Sequence, residues 1–200
     1  MSYFRGMTNE KFQIVADLIK KRRTVKAEKM NGKQIPDEQI NQLLELADWA
    51  PNHGNTEPWR FVVYADAKAF CQQHAELYKN NTLPENFVQA TYEKFASMGE
   101  LVSHAVIAIN SRGHLPKIPV WEEITATACG LQNLLIGATA LDIVAFWSTG
   151  GRITDPSMKT FLGLREEDMV MGVLYLGYAD AEPAGKRNIP MADKVKWVKG

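Results

Sequence analysis

The stretch WEEITATACGLQNLLIGATAL occupies residues 121–141 and is the longest helix candidate in the chain. Its apolar residues recur at helical spacing on more than one side: they are Ile124, Ala128, Leu131, Leu134, Leu135, Ala138 and Leu141. A helix that is apolar most of the way round must be buried on most sides. In a chain of 200 residues a subunit interface is one way to achieve this burial. Gly130 and Gly137 could permit the close approach of another backbone.

Helices and strands alternate irregularly on either side of this segment. Residues with high β propensity predict strands at 59–65, 102–110, 143–147 and 168–178. Helical spacing predicts two helices before the first strand, the first capped by Thr8 and Asn9 and the second opened by Pro36. It also predicts helices at 66–80, 84–99 and 155–162. Because long helices crowd a few strands in mixed order, we expect an α+β fold.

The bulk composition is that of a folded globular chain. Of the 200 residues 46% are hydrophobic, which leaves no case for global disorder, and the length predicts a single domain over residues 1–200. The 23 Lys and Arg residues balance the 23 Asp and Glu residues, so the chain lacks the charge expected of a nucleic-acid-binding protein. Cys71 and Cys129 form no Cys-x-x-Cys pair. There is no apolar run of signal-peptide length at the N-terminus, and polar residues interrupt the most apolar stretch. We therefore expect a cytoplasmic protein with no membrane span.

Two basic segments are candidates for binding a phosphate. Arg22-Arg23-Thr24 follows the first predicted helix, and a guanidinium donates in a fork that fits phosphate oxygens. Lys186-Arg187 lies near the start of the polar tail and could add positive charge. Taken alone, each segment is also explained as a solvated basic pair, because cations suit the C-terminal end of a helix and need no ligand at a surface.

The loop at 50–58 is a third candidate. Asn52, His53 and Asn55 offer donors and acceptors to a planar polar ring. The alternative interpretation is a turn whose Asn side chains bond their own backbone. No second His lies three or four residues from His53 and no Cys is near it, so we expect no metal site.

The segment Trp147-Ser148-Thr149-Gly150 follows the strand at 143–147 and is the fourth candidate. Its backbone N–H groups could face an acceptor ring, or it is simply a strand end that Gly150 and Gly151 assist. It is not a G-x-S-x-G nucleophile elbow, because no Gly stands two residues before Ser148. The chain also contains neither G-x-G-x-x-G nor G-x-x-x-x-G-K-[ST], so neither a Rossmann fingerprint nor a P-loop is supported.

Taken in chain order, these segments resemble the nitroreductase family of FMN flavoproteins, above all its small NAD(P)H nitroreductases. The family opens with a helix ending in Arg-Arg-Ser, then a helix, an Ala-Pro-Ser-x-x-Asn-x-Gln-Pro-Trp loop and a strand. The matching segments here are Arg22-Arg23-Thr24, Ala50-Pro51-Asn52-His53-Gly54-Asn55-Thr56-Glu57-Pro58-Trp59 and Arg60-Phe61-Val62-Val63. The turn at 147–150 is similar to the family's turn beneath the isoalloxazine, and residues 173–178 are similar to its last strand. The resemblance runs from about Ile14 to Arg187.

The resemblance implies a nitroreductase-like fold, with a central, mostly antiparallel sheet flanked by helices, and a homodimer with FMN at the subunit interface. The residues implied to hold the phosphate and ribityl chain are Arg22, Arg23 and Thr24, with Lys186 or Arg187 closing on the phosphate. Those implied to reach the flavin of the other subunit are Asn52, His53 and Asn55. Those implied to line the ring are Trp147, Ser148, Thr149 and Gly150. Two departures affect the flavin-side roles, since Asn52 stands where the family has Ser and Glu57 where it has Gln.

The function that the resemblance implies is an FMN-dependent NAD(P)H oxidoreductase. Hydride would pass from NAD(P)H via FMN to a nitroaromatic, quinone or enone, in ping-pong order and with no obligatory catalytic side chain, because the cofactor carries this chemistry. The alternatives are a flavin dehalogenase or flavin-fragmenting relative, a flavin-binding or storage module without turnover, and a structural dimer with a basic loop. A yellow protein would exclude the structural dimer, and bleaching by NADH or NADPH would separate an enzyme from a binding module.

Overall fold

A four-stranded antiparallel sheet forms the centre of the fold. The computed structural model describes residues 3–181 and 183–200. Its strands are β1 (Trp59–Tyr64), β2 (His104–Asn110), β3 (Val144–Ser148) and β4 (Met169–Gly177). Their spatial order is β1-β2-β4-β3, and every neighbouring pair is antiparallel. The α+β fold with an antiparallel sheet is therefore confirmed, and β1 and β3 form its opposite edges.

Helices cover both faces of this sheet. They are α1 (Tyr3–Lys21), α2 (Asp37–Asp48), α3 (Ala67–Asn80), α4 (Gln89–Ser97), α5 (Val120–Ala140) and α6 (Pro156–Phe161). All seven residues of β2 are buried, and its side chains alternate between two cores. Val106 and Ala108 pack in the core that contains α2 and α5, whereas Ala105 and Ile107 pack in the core that contains α3.

The packing of α2 against α5 depends on two glycines. A Cβ added at Gly130 would lie 2.9 Å from the carbonyl oxygen of Ala47, and one at Gly137 would overlap Leu46. The predicted close approach of a backbone is thus confirmed at Gly130, but the approaching helix belongs to the same chain. Cys129, the residue before Gly130 in α5, is exposed.

The ends of several elements differ from the sequence expectation. The first helix begins at Tyr3, so Thr8 and Asn9 lie inside α1 instead of capping it. An N-cap residue begins a helix only where the residues before it are not helical, and here they are helical. The predicted helix at 84–99 is split, because a 3-10 turn spans Pro84–Asn86 and α4 starts at Gln89.

Within the described ranges, the helices are too short or too polar to cross a membrane. The predictions of one domain over residues 1–200 and of a cytoplasmic location stay predictions.

Candidate functional site

A pocket of about 290 Å³ lies where the chain leaves α1 and meets the outer edge of β3. Thr24 forms a parallel bridge with Ala145, and the Val25 N–H donates to the Ala145 carbonyl at 3.0 Å. This short pairing extends the sheet and brings two distant segments of the sequence together. The residues that line the pocket are Arg22, Thr24, Gln132, Leu135, Ala145, Trp147 and Thr149.

Arg22 lines this pocket, and Arg23 follows it directly in the chain. Arg22 and Arg23 are half-buried, and Arg23 donates to the carbonyl of Arg22 at 2.9 Å. A Cβ added at Gly185 would overlap the Arg23 guanidinium, so the tail passes directly over that side chain and places Lys186 and Arg187 next along the chain. In the part of the chain that the structure describes, no carboxylate pairs with these four side chains. Clustered cations without a carboxylate partner favour an anionic ligand.

Trp147 is held in place at the edge of the pocket by its neighbour in β4. Its indole Nε1–H donates to the carbonyl of Met171 at 2.9 Å. Gly172, with φ +135°, leaves the space that the indole occupies, because an added Cβ there would overlap the ring. The Trp147 side chain is therefore positioned by its contacts with β4, and its exposed part lines the pocket.

The predicted residues in the turn after β3 make different contacts. Thr149 lines the pocket, whereas the Gly150 N–H donates to the Ser148 hydroxyl oxygen at 3.3 Å. The expectation that backbone N–H groups of this turn face a ring stays a prediction; in this structure the Gly150 N–H donates to a Ser side chain two residues earlier.

A buried histidine anchors the chain just beyond this turn. The Arg152 N–H donates to Nε2 of His74 at 3.2 Å, and Gly151 has φ +68° and no space for a side chain, since a Cβ would lie 2.5 Å from that same nitrogen. Burial lowers the pKa of His74 to about 4, so the ring is neutral at physiological pH and accepts the hydrogen bond. Among the described residues, Nδ1 of His74 has no hydrogen-bond partner.

The loop at 50–58 lies at the opposite edge of the sheet, before β1. The Asn52 side-chain oxygen accepts from the Glu57 N–H at 3.3 Å, which is the self-bonded turn considered as the alternative. Asn55 is exposed and has φ +52°, and Glu57 has φ +42°. His53 is bound by Glu122, which lies in the first turn of α5, with 2.7 Å between Nδ1 and Oε2.

The two groups of predicted residues do not meet within one chain. The edge strands β1 and β3 are separated by three interstrand spacings, or about 14 Å. Arg22, Thr24, Trp147 and Thr149 come together at one edge, whereas Asn52, His53 and Asn55 lie beyond the other.

Sequence reasoning missed three residues near these regions. Gln132 and Leu135 line the pocket, and Glu122 binds His53. Gln132 is a polar residue within the most apolar part of α5, and that feature could have identified it as a lining residue. The pairing of Glu122 with His53 joins residues 69 positions apart and had no local signal. No group of three or more potential metal ligands occurs within the described ranges.

Comparisons with known proteins identify the family of this chain and its fold. Residues 19–178 match the model of the Nitroreductase family. The Bacillus subtilis protein named "Putative NAD(P)H nitroreductase YfhC" is 24% identical over 187 residues, which cover 90% of this chain and 92% of that protein. The structure of a nitroreductase-like family protein from Bacillus cereus has a TM-score of 0.76 and 23% identity, covering 93% of this chain and 96% of that one. The structure of a nitroreductase with bound FMN from Bacteroides fragilis has a TM-score of 0.65 and 25% identity, covering 92% and 98%. The family match spans most of the chain, and the chain belongs to the nitroreductase family.

Proposed function

We propose that this chain is an FMN-dependent NAD(P)H oxidoreductase that works as a homodimer, with FMN bound between the subunits. The observation that carries the proposal is the pocket beside β3, which combines clustered cations with an aromatic edge. Arg22, Arg23, Lys186 and Arg187 would hold the phosphate, and the Thr24 hydroxyl would bind the ribityl chain. Trp147, Thr149 and Gln132 would line the ring.

The size of the pocket supports a site completed by a second chain. Pockets for ligands of this kind are typically about 300–1,000 Å³, and the single chain provides about 290 Å³. Asn52, His53 and Asn55 of the other subunit would supply the missing wall, because within one chain they lie at the far edge of the sheet.

Exposed apolar stripes support the dimer independently. On α1, Phe12 is 67% exposed, and Val15 and Ile19 follow it on the same side of the helix. On α5, Trp121 is 63% exposed and Cys129 lies on the same exposed side two turns later. Apolar helix surfaces of this extent are typical of protein interfaces, so we infer that a second copy of the chain covers them.

When bound, FMN supplies the hydride chemistry that no side chain of this protein can perform. The chain contributes binding, orientation and exclusion of water. Since one shallow pocket has to admit both the nicotinamide and the acceptor, we expect them to bind in turn, which predicts ping-pong kinetics. A nitroaromatic, a quinone or an enone would fit as the acceptor. The proposed cofactor is supported by the FMN bound to the Bacteroides fragilis relative. The proposed reductant is supported by the NAD(P)H in the name of the Bacillus subtilis relative.

The test is a spectrum of the purified protein followed by titration with NADH and NADPH. We expect a yellow dimer with one FMN per chain, bleaching by one of the reductants, and turnover of nitro or quinone acceptors faster than that of dioxygen. A colourless protein that cannot be reconstituted with FMN contradicts the proposal. Bound FMN that neither reductant bleaches would indicate a storage module instead.

A further inference from the structure

The pair formed by His53 and Glu122 lies outside the pocket beside β3. Nδ1 of His53 and Oε2 of Glu122 are 2.7 Å apart, and the two side chains are 61% and 27% exposed. The ring's other nitrogen, Nε2, has no hydrogen-bond partner among the described residues. The carboxylate therefore occupies one ring nitrogen and leaves the other available at the surface.

The backbone that carries His53 is held in an unfavourable conformation. Gly54, Asn55 and Glu57 all have positive φ, at +65°, +52° and +42°. Strained backbone of this kind persists only where the surroundings enforce it, and it clusters at functional sites. Here the surroundings are Leu115 and Ile118, which would lie 3.0 and 2.9 Å from a Cβ added at Gly54.

The ion pair between His53 and Glu122 is only partly buried. A half-exposed pair of this type adds little to stability, because solvent screens it. The pair does determine which ring nitrogen carries the proton, since a carboxylate accepts a hydrogen bond and cannot donate one.

We propose that Glu122 is a positioning residue that fixes His53 in the Nδ1–H tautomer and directs Nε2 to the molecule bound in the partner subunit's pocket. The proposal rests on the homodimer proposed above. In the neutral ring Nε2 is then an acceptor, and it suits an N–H or O–H group of that molecule. Other charged or titratable groups on the loop or in the segment next to Gly54 are Glu57, His114 and Lys117, all exposed; among the described residues, none of them forms a hydrogen bond or ion pair with His53.

The first test is the tautomer of His53 in the protein without FMN, from long-range proton–nitrogen NMR of labelled histidine, with His53→Ala identifying the signal. We expect the Nδ1–H form in the wild-type protein and in Glu122→Gln, whose side-chain oxygen still accepts the hydrogen bond. In Glu122→Ala we expect a shift toward the Nε2–H form that is usual for free histidine. Wild-type protein in the Nε2–H form, or no change in Glu122→Ala, overturns the proposal. This measurement needs no cofactor and so does not depend on the proposed activity.

The second test is a double-mutant cycle on FMN affinity, measured by fluorescence titration of the dimer. His53→Ala and Glu122→Ala should each raise the dissociation constant roughly threefold to tenfold, in line with loss of one polar contact. The double variant should be no weaker than His53→Ala alone, because Glu122 acts through His53. Glu122→Gln should stay within about twofold of wild type.

Glu38→Gln is the matched control for Glu122→Gln. Glu38 is an exposed carboxylate in the first turn of α2 and has no role in the site. Thermal unfolding of each variant shows whether it is folded. Additive effects of the two alanine variants, or no effect of Glu122→Ala, would overturn the role of Glu122. Failure of every form, including wild type, to bind FMN would instead contradict the proposed function.

Discussion

The two edges of the sheet differ in how their candidate residues are held. At the β3 edge, residues from α1, α5 and β3 converge on one pocket, with Thr24 bridged to Ala145 and Trp147 fixed over Gly172. At the β1 edge, the loop at 50–58 stands alone, and its polar side chains bond to their own loop or to Glu122. The pocket at the β3 edge is lined by Arg22, whereas a second pocket at the β1 edge, of about 470 Å³, is lined by Glu45, Asp48, Glu57 and Arg60.

This difference is what the proposed homodimer would explain, because the pocket and the loop lie at opposite edges of one sheet. The two edge strands are about 14 Å apart. A second copy related by twofold symmetry would place the loop of one chain against the pocket of the other. The predictions below test each edge separately.

The largest expected effect concerns His74, which supports the turn at the β3 edge. Its folded-state pKa of about 4 lies below the ordinary value of 6.5, so the unfolded chain binds the proton more readily. Stability from the neutral ring is fully present above pH 6.5 and is lost as the pH falls toward 4. The difference amounts to roughly 3 kcal/mol. Urea unfolding at pH 7 and pH 4 measures how much of the free energy of unfolding is lost as the pH falls. This loss should be smaller in His74→Leu than in wild type, and an equal loss in both would contradict the role of His74.

Gly172→Ala should disturb the same edge through Trp147. The added Cβ overlaps the indole, and φ of +135° is unfavourable for Ala, so we expect a loss of roughly 2 to 3 kcal/mol in the free energy of unfolding. The indole should leave its place and expose more of its surface, which Trp fluorescence quenching can detect. Gly163→Ala is the control, since it also has positive φ but meets no neighbouring atom within 4 Å. Equal losses in the two variants would mean that Trp147 is not held by this contact.

Arg22→Ala removes one of the four cations proposed to hold the phosphate. The loss of a charge-assisted contact to the phosphate should weaken FMN binding by about 2 kcal/mol, or roughly thirtyfold. Equilibrium dialysis measures the change, and Lys68→Ala, an exposed cation on α3, serves as the control. An FMN affinity equal to that of wild type would remove Arg22 from the site.

Glu57→Gly should have the smallest effect and acts at the β1 edge. Gly adopts φ of +42° without strain, so we expect a gain of about 0.5 to 1 kcal/mol in stability. If the strained loop is preorganised for the other subunit's ligand, FMN affinity should fall while stability rises. Thermal melting and FMN titration of the same samples separate the two effects. A variant that is less stable than wild type would show that the Glu57 side chain stabilises the loop.

Much of the fold could be predicted from the sequence because its signals are local. Residues with high β propensity located all four strands, and the apolar pattern of residues 121–141 located α5. The phosphate candidates Arg22 and Thr24 and the turn residues Trp147 and Thr149 were identified as separate segments, and the structure brings them together.

The remainder depended on contacts between residues far apart in the chain. The anchoring of the turn by His74 and the pairing of Glu122 with His53 follow from tertiary packing. No motif or regular spacing in the sequence marks the residues that form these contacts. The start of the first helix also could not be read from its capping residues. Thr8 and Asn9 lie inside α1 because the helix already begins at Tyr3.

The most direct measurement is subunit complementation between Arg22→Ala and His53→Ala chains, co-expressed with different tags and purified as the mixed dimer. If each site takes cations from one chain and the loop from the other, the mixed dimer contains one intact site and one site with both defects. We predict that it binds one FMN per dimer with wild-type affinity. A mixed dimer whose two sites are as weak as those of the two parent variants would contradict the account, because it would place both groups of residues in the same site of a single chain.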